Sequence, residues 1–318
     1  MRVVVAPATL KEVLPAREAA AALARGVRRA GHEPIEVPLA DGGEGTADAL
    51  HAARGGEWRT ATVAGPLGDS VEARWLLLPG GEAVVEAAEA IGLGLVPPER
   101  RDPLRASSRG LGELILAAVE GGATSLLVAL GGTATVDGGA GLREVVRSLP
   151  VPAVALADVR SPLLGPRGAA RAFGPQKGAG PAAVEELEAR LAATPGLAPF
   201  ADVAGAGAAG GLGAAFLALG AELVGGARLV AEAAGLHEAL RGAALAVTGE
   251  GQLDGTTLEG KAPAAVMEAC RDAGVRCAVF AGRVRVRPGG VEVHALSGDP
   301  ARAREDLEEL GERLARAL

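Results

Sequence analysis

The sequence predicts an α/β protein, a doubly wound parallel sheet carrying an inserted second α/β domain with a mixed sheet. Two observations predict it. Apolar strand-like runs alternate with helical stretches at both ends of the chain, and the alternation breaks down between them. The chain also has 318 residues, 49% of them hydrophobic, which is ample for two cores and long for one.

Taken in order, Val3–Ala6 reads as a short buried strand and Pro15–Ala30 as an Ala-rich helix ended by Gly31, where a C-terminal glycine belongs. Ile35–Pro38 reads as a second strand, followed by ADGGEGT and a helix to about Arg54. This βαβα opening implies parallel pairing. Thr60–Val63 and Val71–Leu78 flank a GPLGDS turn and predict a hairpin, with a further strand at Ala83–Ala88. Residues 92–107 are rich in Pro and Arg and predict a loop. Arg109–Glu120 predicts a helix, Ser125–Leu130 a strand ending at GGTATVDGGAG, and Pro152–Ala157 another strand. Glycine and proline are frequent over 161–213, with one amphipathic helix near Pro181–Ala192. After 240 the alternation returns: a strand at Ala243–Val247 leading to TGEGQLDG, a helix at Pro263–Ala273, strands at Val275–Ala281 and Val291–Leu296, and a closing helix at Pro300–Leu318. The outer pieces together supply five strands, which suits a flavodoxin-like sheet. Residues 1–56 and 240–318 then form one discontinuous flavodoxin-like domain, and 57–239 form the inserted α/β domain.

Composition narrows the function classes. A net charge of −7 with Arg and acidic residues interleaved along the helices argues against a nucleic-acid surface, which needs a basic patch. Cys270 and Cys277 are too few for a disulfide framework or a zinc site. No apolar run reaches the roughly 18 residues of a membrane span. MRVVVAPA reads as a strand rather than a signal or transit peptide, so the expectation is a soluble cytoplasmic protein.

The chain has only three lysines, Lys11, Lys177 and Lys261, among 32 Lys plus Arg, and only two Gln, Gln176 and Gln252. All but Lys11 lie in or beside Gly-rich segments. A lysine kept against such a bias suggests a ligand contact, because an ammonium is a compact point charge that the arginine fork does not replace. Ligands on doubly wound sheets bind beyond the carboxyl ends of the strands. APATLK, ADGGEGT and TGEGQLDG all follow strands of the outer domain. GGTATVDGGAG, Gly131–Gly141, lies between a strand and a helix, where backbone N–H groups can cradle a phosphate. It lacks the GK[ST] ending of a Walker A loop, and packing alone can also require such glycines. Asp41, Glu44, Asp137, Asp158, Glu250 and Asp254 sit at loop starts after strands; each fits a magnesium ligand, a general base or a helix cap.

Together, ADGGEGT, GPLGDSVEA, GLVPPERRDPL, GGTATVDGGAG, ADVRSPLLGPRGAARAFGPQKGAG, GAGAAGGLGAA and TGEGQLDGTTLEGKAP resemble the two-domain bacterial glycerate kinase family, in order and along nearly the whole chain. The resemblance implies an ATP-dependent phosphotransferase that converts D-glycerate to phosphoglycerate with Mg2+. Glycerate and ATP are then the partners, with a homodimer as the one protein assembly allowed for. Asp158, Lys177, Asp254 and Lys261 form the catalytic set that follows. The lysines contact phosphate or the substrate carboxylate, and Asp158 and Asp254 ligate the metal or accept the hydroxyl proton. Gly131, Gly132 and Gly139 admit phosphates to the backbone. Thr9, Lys11, Asp41, Gly42, Gly43, Glu44, Thr46, Thr133, Asp137, Gln176, Gly249 and Glu250 complete the substrate and phosphate crevice.

The chain departs from the family pattern in places. A PDSFK-like first loop becomes APATLK, with Ala8 in place of the acid. A CDVDNPL-like run becomes ADVRSPL, which keeps Asp158 but brings in Arg160 and Ser161. These changes keep two other readings in view, a non-catalytic homologue that binds a small acid and a kinase for another small hydroxy acid.

Overall fold

The structure, a computed structural model, describes residues 1–10, 13–255, 257 and 260–318. Among these the strands are β1 (Arg2–Val5), β2 (Glu33–Glu36), β3 (Glu57–Ala64), β4 (Ser70–Leu77), β5 (Glu82–Glu86), β6 (Ser125–Ala129), β7 (Ala153–Leu156), β8 (Glu222–Val224), β9 (Ala243–Leu253), β10 (Arg276–Val284) and β11 (Glu292–Ala295). They form two sheets.

The first sheet has the order β11-β10-β9-β1-β2 and every pairing in it is parallel. Counted along the sheet's own strands this is the flavodoxin-like order. The apolar runs explain it. Val3, Val4 and Val5 have no exposed surface, and Leu245, Ala246 and Val247 of β9 beside them have none either, as strands covered on both faces require. The helices Ala16–Arg29 and Ala303–Arg316 cover one face through Leu23, Val27, Leu307, Leu310 and Leu314.

The second sheet runs β3-β4-β5-β6-β7-β8. The β3–β4 and β4–β5 pairs are antiparallel and the rest are parallel. It is a mixed sheet, with the hairpin around GPLGDS at one edge. Trp75, Val85, Val128 and Phe216 lie in its core.

The chain divides into two compact units. One contains Met1–Asp41, Asp48–Arg54 and Gly226–Leu318, the other Gly42–Ala47 and Gly55–Gly225. The sequence reading set the return to the first unit at 240, whereas the structure sets it at Gly226. The reason is burial. Helices Gly226–Ala233 and Leu236–Leu240 bring Ala227, Ala231, Leu236 and Leu240 into the core that holds Val266 and Cys270. The short stretch Gly42–Ala47 packs with the mixed-sheet unit although its flanks do not.

Two other expectations are corrected. β9 continues past Val247 to Leu253, through most of TGEGQLDG, because β10 pairs with it as far as Val284↔Leu253. The Gly-rich region contains a helix at Ala208–Ala218 that has no apolar periodicity to reveal it; Ala209, Gly210 and Gly211 inside it are left-handed. No helix among the described residues is long and apolar enough to cross a membrane.

Candidate active site

In the parallel-sheet unit the switch in strand order falls between β1 and β9, the place where such sheets bind ligands. The chain leaving β1 stays on β9. Ala6 N donates to Val247 O at 2.8 Å, Ala8 N to Gly249 O at 2.9 Å, and Thr248 Oγ1 to Ala6 O at 2.7 Å. Ala8 is buried and Thr9 half-buried, while Lys11 lies outside the described residues. Gly249, expected to admit phosphate, has a different reason to be glycine. A Cβ there would stand 2.2 Å from the Phe280 carbonyl oxygen, so the missing side chain serves the packing of β9 on β10.

Beyond this point a group of charges gathers. Glu250, on the outer half of β9, is half-buried, and its Oε1 is buried without a hydrogen-bond partner among the described residues. Burial pushes its carboxyl above the ordinary range. A hydrogen bond from Thr257 and the charge of Lys261 oppose that shift, while Asp41 and Asp254 reinforce it. Asp41, Glu250, Asp254 and Lys261 are therefore electrostatic neighbours. A local frame holds Asp254 in position. Its N–H donates to Thr257 Oγ1 at 3.1 Å, and Gln252 Nε2 donates to its Oδ2 at 2.8 Å. Lys261 immediately precedes the helix Ala262–Ala273. Three carboxylates against one lysine, with an oxygen left unpartnered, leave room for a cation. No group of three His, Cys, Asp or Glu side chains is close enough to hold a metal alone among the described residues.

In the mixed-sheet unit the loop after β6 is a layered structure. Gly131 and Gly132 form its accessible end, while Thr133, Ala134, Thr135 and Val136 are buried. Gly131 N donates to Gly42 O at 3.3 Å, and a Cβ on Gly131 would come within 2.7 Å of Gly43 Cα. The two Gly-rich stretches are thus stacked backbone to backbone, which explains their glycines by close approach. Glu44 reaches the same place, with Oε1 2.5 Å from where a Gly132 Cβ would be. Gly139 is packed under Ala215, whose Cβ would be 2.4 Å from a Cβ added there; it is buried rather than open to a phosphate.

Lys177 is the largest departure from expectation. It is 4% exposed, and its ammonium faces inward. Nζ donates to Thr135 O at 2.7 Å and to Thr133 Oγ1 at 3.1 Å. Burial pushes it down from the ordinary lysine range to about 7, against a weaker upward pull from Asp137. Lysine is kept here for a buried contact with the loop, which arginine is too large to copy. Asp137, offered by sequence as a ligand-binding acid, is engaged by its own unit. It accepts from Ser108 N and Oγ at 2.8 and 2.7 Å, and from Gly139 N and Gly141 N at 3.1 Å each. That is a capping role at the helix Ala140–Val145.

Asp158 follows β7, half-buried, with Oδ1 3.3 Å from a Cβ built on Gly225. It belongs to the mixed-sheet unit and Asp254 to the parallel-sheet unit. Gln176 is exposed, and its carbonyl accepts from Arg101 Nη1 at 3.3 Å. Arg160 is exposed.

One residue escaped the sequence reading. Glu86, at the end of β5, is 4% exposed. Its Oε1 accepts from Ala47 N at 2.7 Å and its Oε2 from Gly45 N at 3.2 Å. Thr46, which has no exposed surface, donates from Oγ1 to Gly43 O at 2.8 Å. The available signal was a single acid inside the apolar run AVVEAA, since a charge in such a run is buried only when paired.

Doubly wound sheet, Gly-rich phosphate-type loop and acidic cluster together define an α/β phosphotransferase of two units. A family model described as the glycerate kinase family matches residues 3–147 and 144–298. Glycerate 2-kinase of Escherichia coli (strain K12) is 42% identical over 308 residues, covering 84% of this chain and 81% of that protein. The glycerate kinase of Halalkalibacterium halodurans is 38% identical over 322 residues, covering 88% of this chain and 85% of its own. A solved structure from Salmonella typhimurium LT2, provisionally assigned as glycerate kinase 2, superposes with a TM-score of 0.83 at 33% identity, covering 100% of this chain and 98% of the other. The chain belongs to the glycerate kinase family.

Proposed function

We propose that the protein is a glycerate kinase that transfers the γ-phosphoryl group of ATP to a hydroxyl of D-glycerate. The observation that carries this reading is the match of the chain to the family over residues 3–298, with Glu250, Asp254 and Lys261 at and beyond the end of β9 as its candidate reactive groups. Phosphoryl transfer asks a protein mainly for positioning and charge neutralisation. Lys261 supplies positive charge at the start of a helix, where an anion is also favoured by the backbone. Asp254, held by Gln252 and Thr257, either ligates the metal or accepts the proton of the acceptor hydroxyl. Gly131 and Gly132 offer the accessible backbone of the phosphate loop, with Glu44 and Thr46 beside it. Lys177 acts from beneath that loop through Thr133 and Thr135. Thr9, Lys11 and Asp158 complete the substrate crevice. Mg2+, when bound, neutralises the phosphate oxygens; Asp254 and Asp158 are its proposed protein ligands. The name of the Escherichia coli relative supports the 2-hydroxyl as acceptor. The absence of a membrane-crossing helix among the described residues agrees with a cytoplasmic location.

The test is ADP release from ATP and Mg2+ with and without D-glycerate, followed by 31P NMR of the product. The expected result is glycerate-dependent turnover giving 2-phosphoglycerate. ATP turnover that ignores glycerate, or none at all, would remove this function.

A further inference from the structure

We propose that Glu86 is a positioning residue of this site: its buried carboxylate holds the Gly45 and Ala47 amides and so sets how Gly43 and Glu44 lie against Gly131 and Gly132. The proposal rests on the kinase reading above and adds a residue to it.

The argument begins with the helix Thr46–Arg54. The first N–H groups of a helix have no partner within it and are usually satisfied by a Ser, Thr, Asp or Asn just before the first turn. Here that position is Gly45, which has no side chain. Thr46 gives no help, because its hydroxyl donates to Gly43 O. The acceptor comes from far along the chain instead: Glu86 takes Ala47 N at 2.7 Å and Gly45 N at 3.2 Å, one on each carboxylate oxygen.

Glu86 is an expensive choice on stability grounds. Its neighbours Val84, Val85 and Ala87 have no exposed surface. A carboxylate in such surroundings costs several kcal/mol before its hydrogen bonds offset the loss of water. An apolar residue would extend that core without the cost. What the acid adds is a fixed anchor for Gly42–Ala47, a stretch whose flanking residues pack in the other unit. That stretch is in turn the surface on which the phosphate-type loop rests. Gly131 N donates to Gly42 O, Gly131 lies against Gly43 Cα, and Glu44 Oε1 lies against Gly132. A shift of the anchored stretch moves the accessible end of that loop.

The full-length protein tests this with Glu86→Gln and Glu86→Leu. Glutamine keeps the shape and one acceptor oxygen but turns an NH2 toward the second amide; leucine removes both acceptors. Misplacement of about 1 Å costs on the order of a hundredfold. The leucine variant should therefore lose about a hundredfold in kcat/KM and the glutamine variant about tenfold, mostly in kcat. Amide exchange at Gly45 and Ala47 should be slow in the wild type and accelerate in both variants. A role confined to stability would lower Tm and leave kcat unchanged well below the transition, which would overturn the proposal. Kinetics within about threefold of wild type in the leucine variant would do the same. If that variant does not fold, the glutamine variant decides by the same split. An inactive wild type with slow Gly45 and Ala47 amides defeats the kinase reading alone, whereas an active one with fast amides defeats the role of Glu86.

Discussion

Glu250 of the parallel-sheet unit and Asp137 of the mixed-sheet unit are in opposite states. In the parallel-sheet unit, Glu250 has a buried oxygen with no partner among the described residues and two neighbouring carboxylates that raise its proton affinity. In the mixed-sheet unit, Asp137 accepts four hydrogen bonds, Glu86 at least two, and Lys177 donates two. The difference separates two kinds of site residue. Charge left unsatisfied is free to meet a ligand or cation, and its removal should alter chemistry more than folding. Charge already satisfied fixes a loop, and its removal should alter folding as well as chemistry.

The sharpest way to break this contrast is Asp254→Asn. If the acid cluster is the reactive part, kcat should fall by about a thousandfold, since loss of such electrostatic help is worth roughly 3–4 kcal/mol. Tm should stay close to wild type, because Asp254 is only half-buried. Steady-state kinetics and calorimetry on one preparation read both. A kcat within tenfold of wild type would take Asp254 out of the chemistry.

Lys177→Met should fall next, with kcat/KM down about a hundredfold and a stability change that depends on pH. The folded state lowers this lysine from 10.5 to about 7. The neutral amine therefore favours folding fully above 10.5, and that contribution is lost as pH falls from there toward 7. The deficit of the Met variant should accordingly shrink between pH 10 and pH 7, by about 1.4 kcal/mol per unit. A deficit independent of pH would mean the ammonium is not buried as described.

Asp137→Ala should lose about 3 kcal/mol of stability by stranding buried donors near Ser108 and the following helix. Denaturant unfolding measures it. A loss under about 1 kcal/mol would show that these donors find other partners. The smallest effect is a gain. Ala209 has φ 52° and ψ 38°, a left-handed conformation that costs a non-glycine residue roughly 1–2 kcal/mol. Ala209→Gly relieves it and gives back part in chain entropy, so Tm should rise slightly with kcat unchanged.

Sequence made the parallel sheet legible because a strand buried on both faces must read as an apolar run, and VVVA, ALAV and CAVFA do. It made the motifs legible as places where something binds or packs, without telling the two apart. Gly131 and Gly249 look alike in a string of letters, yet the first lies at an accessible loop end and the second under Phe280. The lysine bias singled out Lys177, and the structure adds that its ammonium is buried against Thr133 and Thr135, which composition has no means to show, since rarity reports constraint and not its direction. Glu86 was hidden because its partners are two backbone amides 39 and 41 residues away, and a backbone donor leaves no mark on composition. The helices at 226–240 were assigned to the insertion because their Ala-rich faces suit either core.

The route of the chain has a consequence for how such a protein can be inherited. It passes between the units after Asp41, after Ala47, after Arg54 and after Gly225. A gene fragment encoding residues 55–225 alone would translate the whole mixed sheet and leave out Gly42–Ala47, the stretch whose Gly45 and Ala47 amides donate to Glu86. Its product would keep the buried Glu86 while lacking two of its backbone donors. Recombination that swaps this insert between relatives must therefore carry a matching acid at the end of β5 or bring the small upstream segment with it. Two separated stretches of DNA travel as one heritable part.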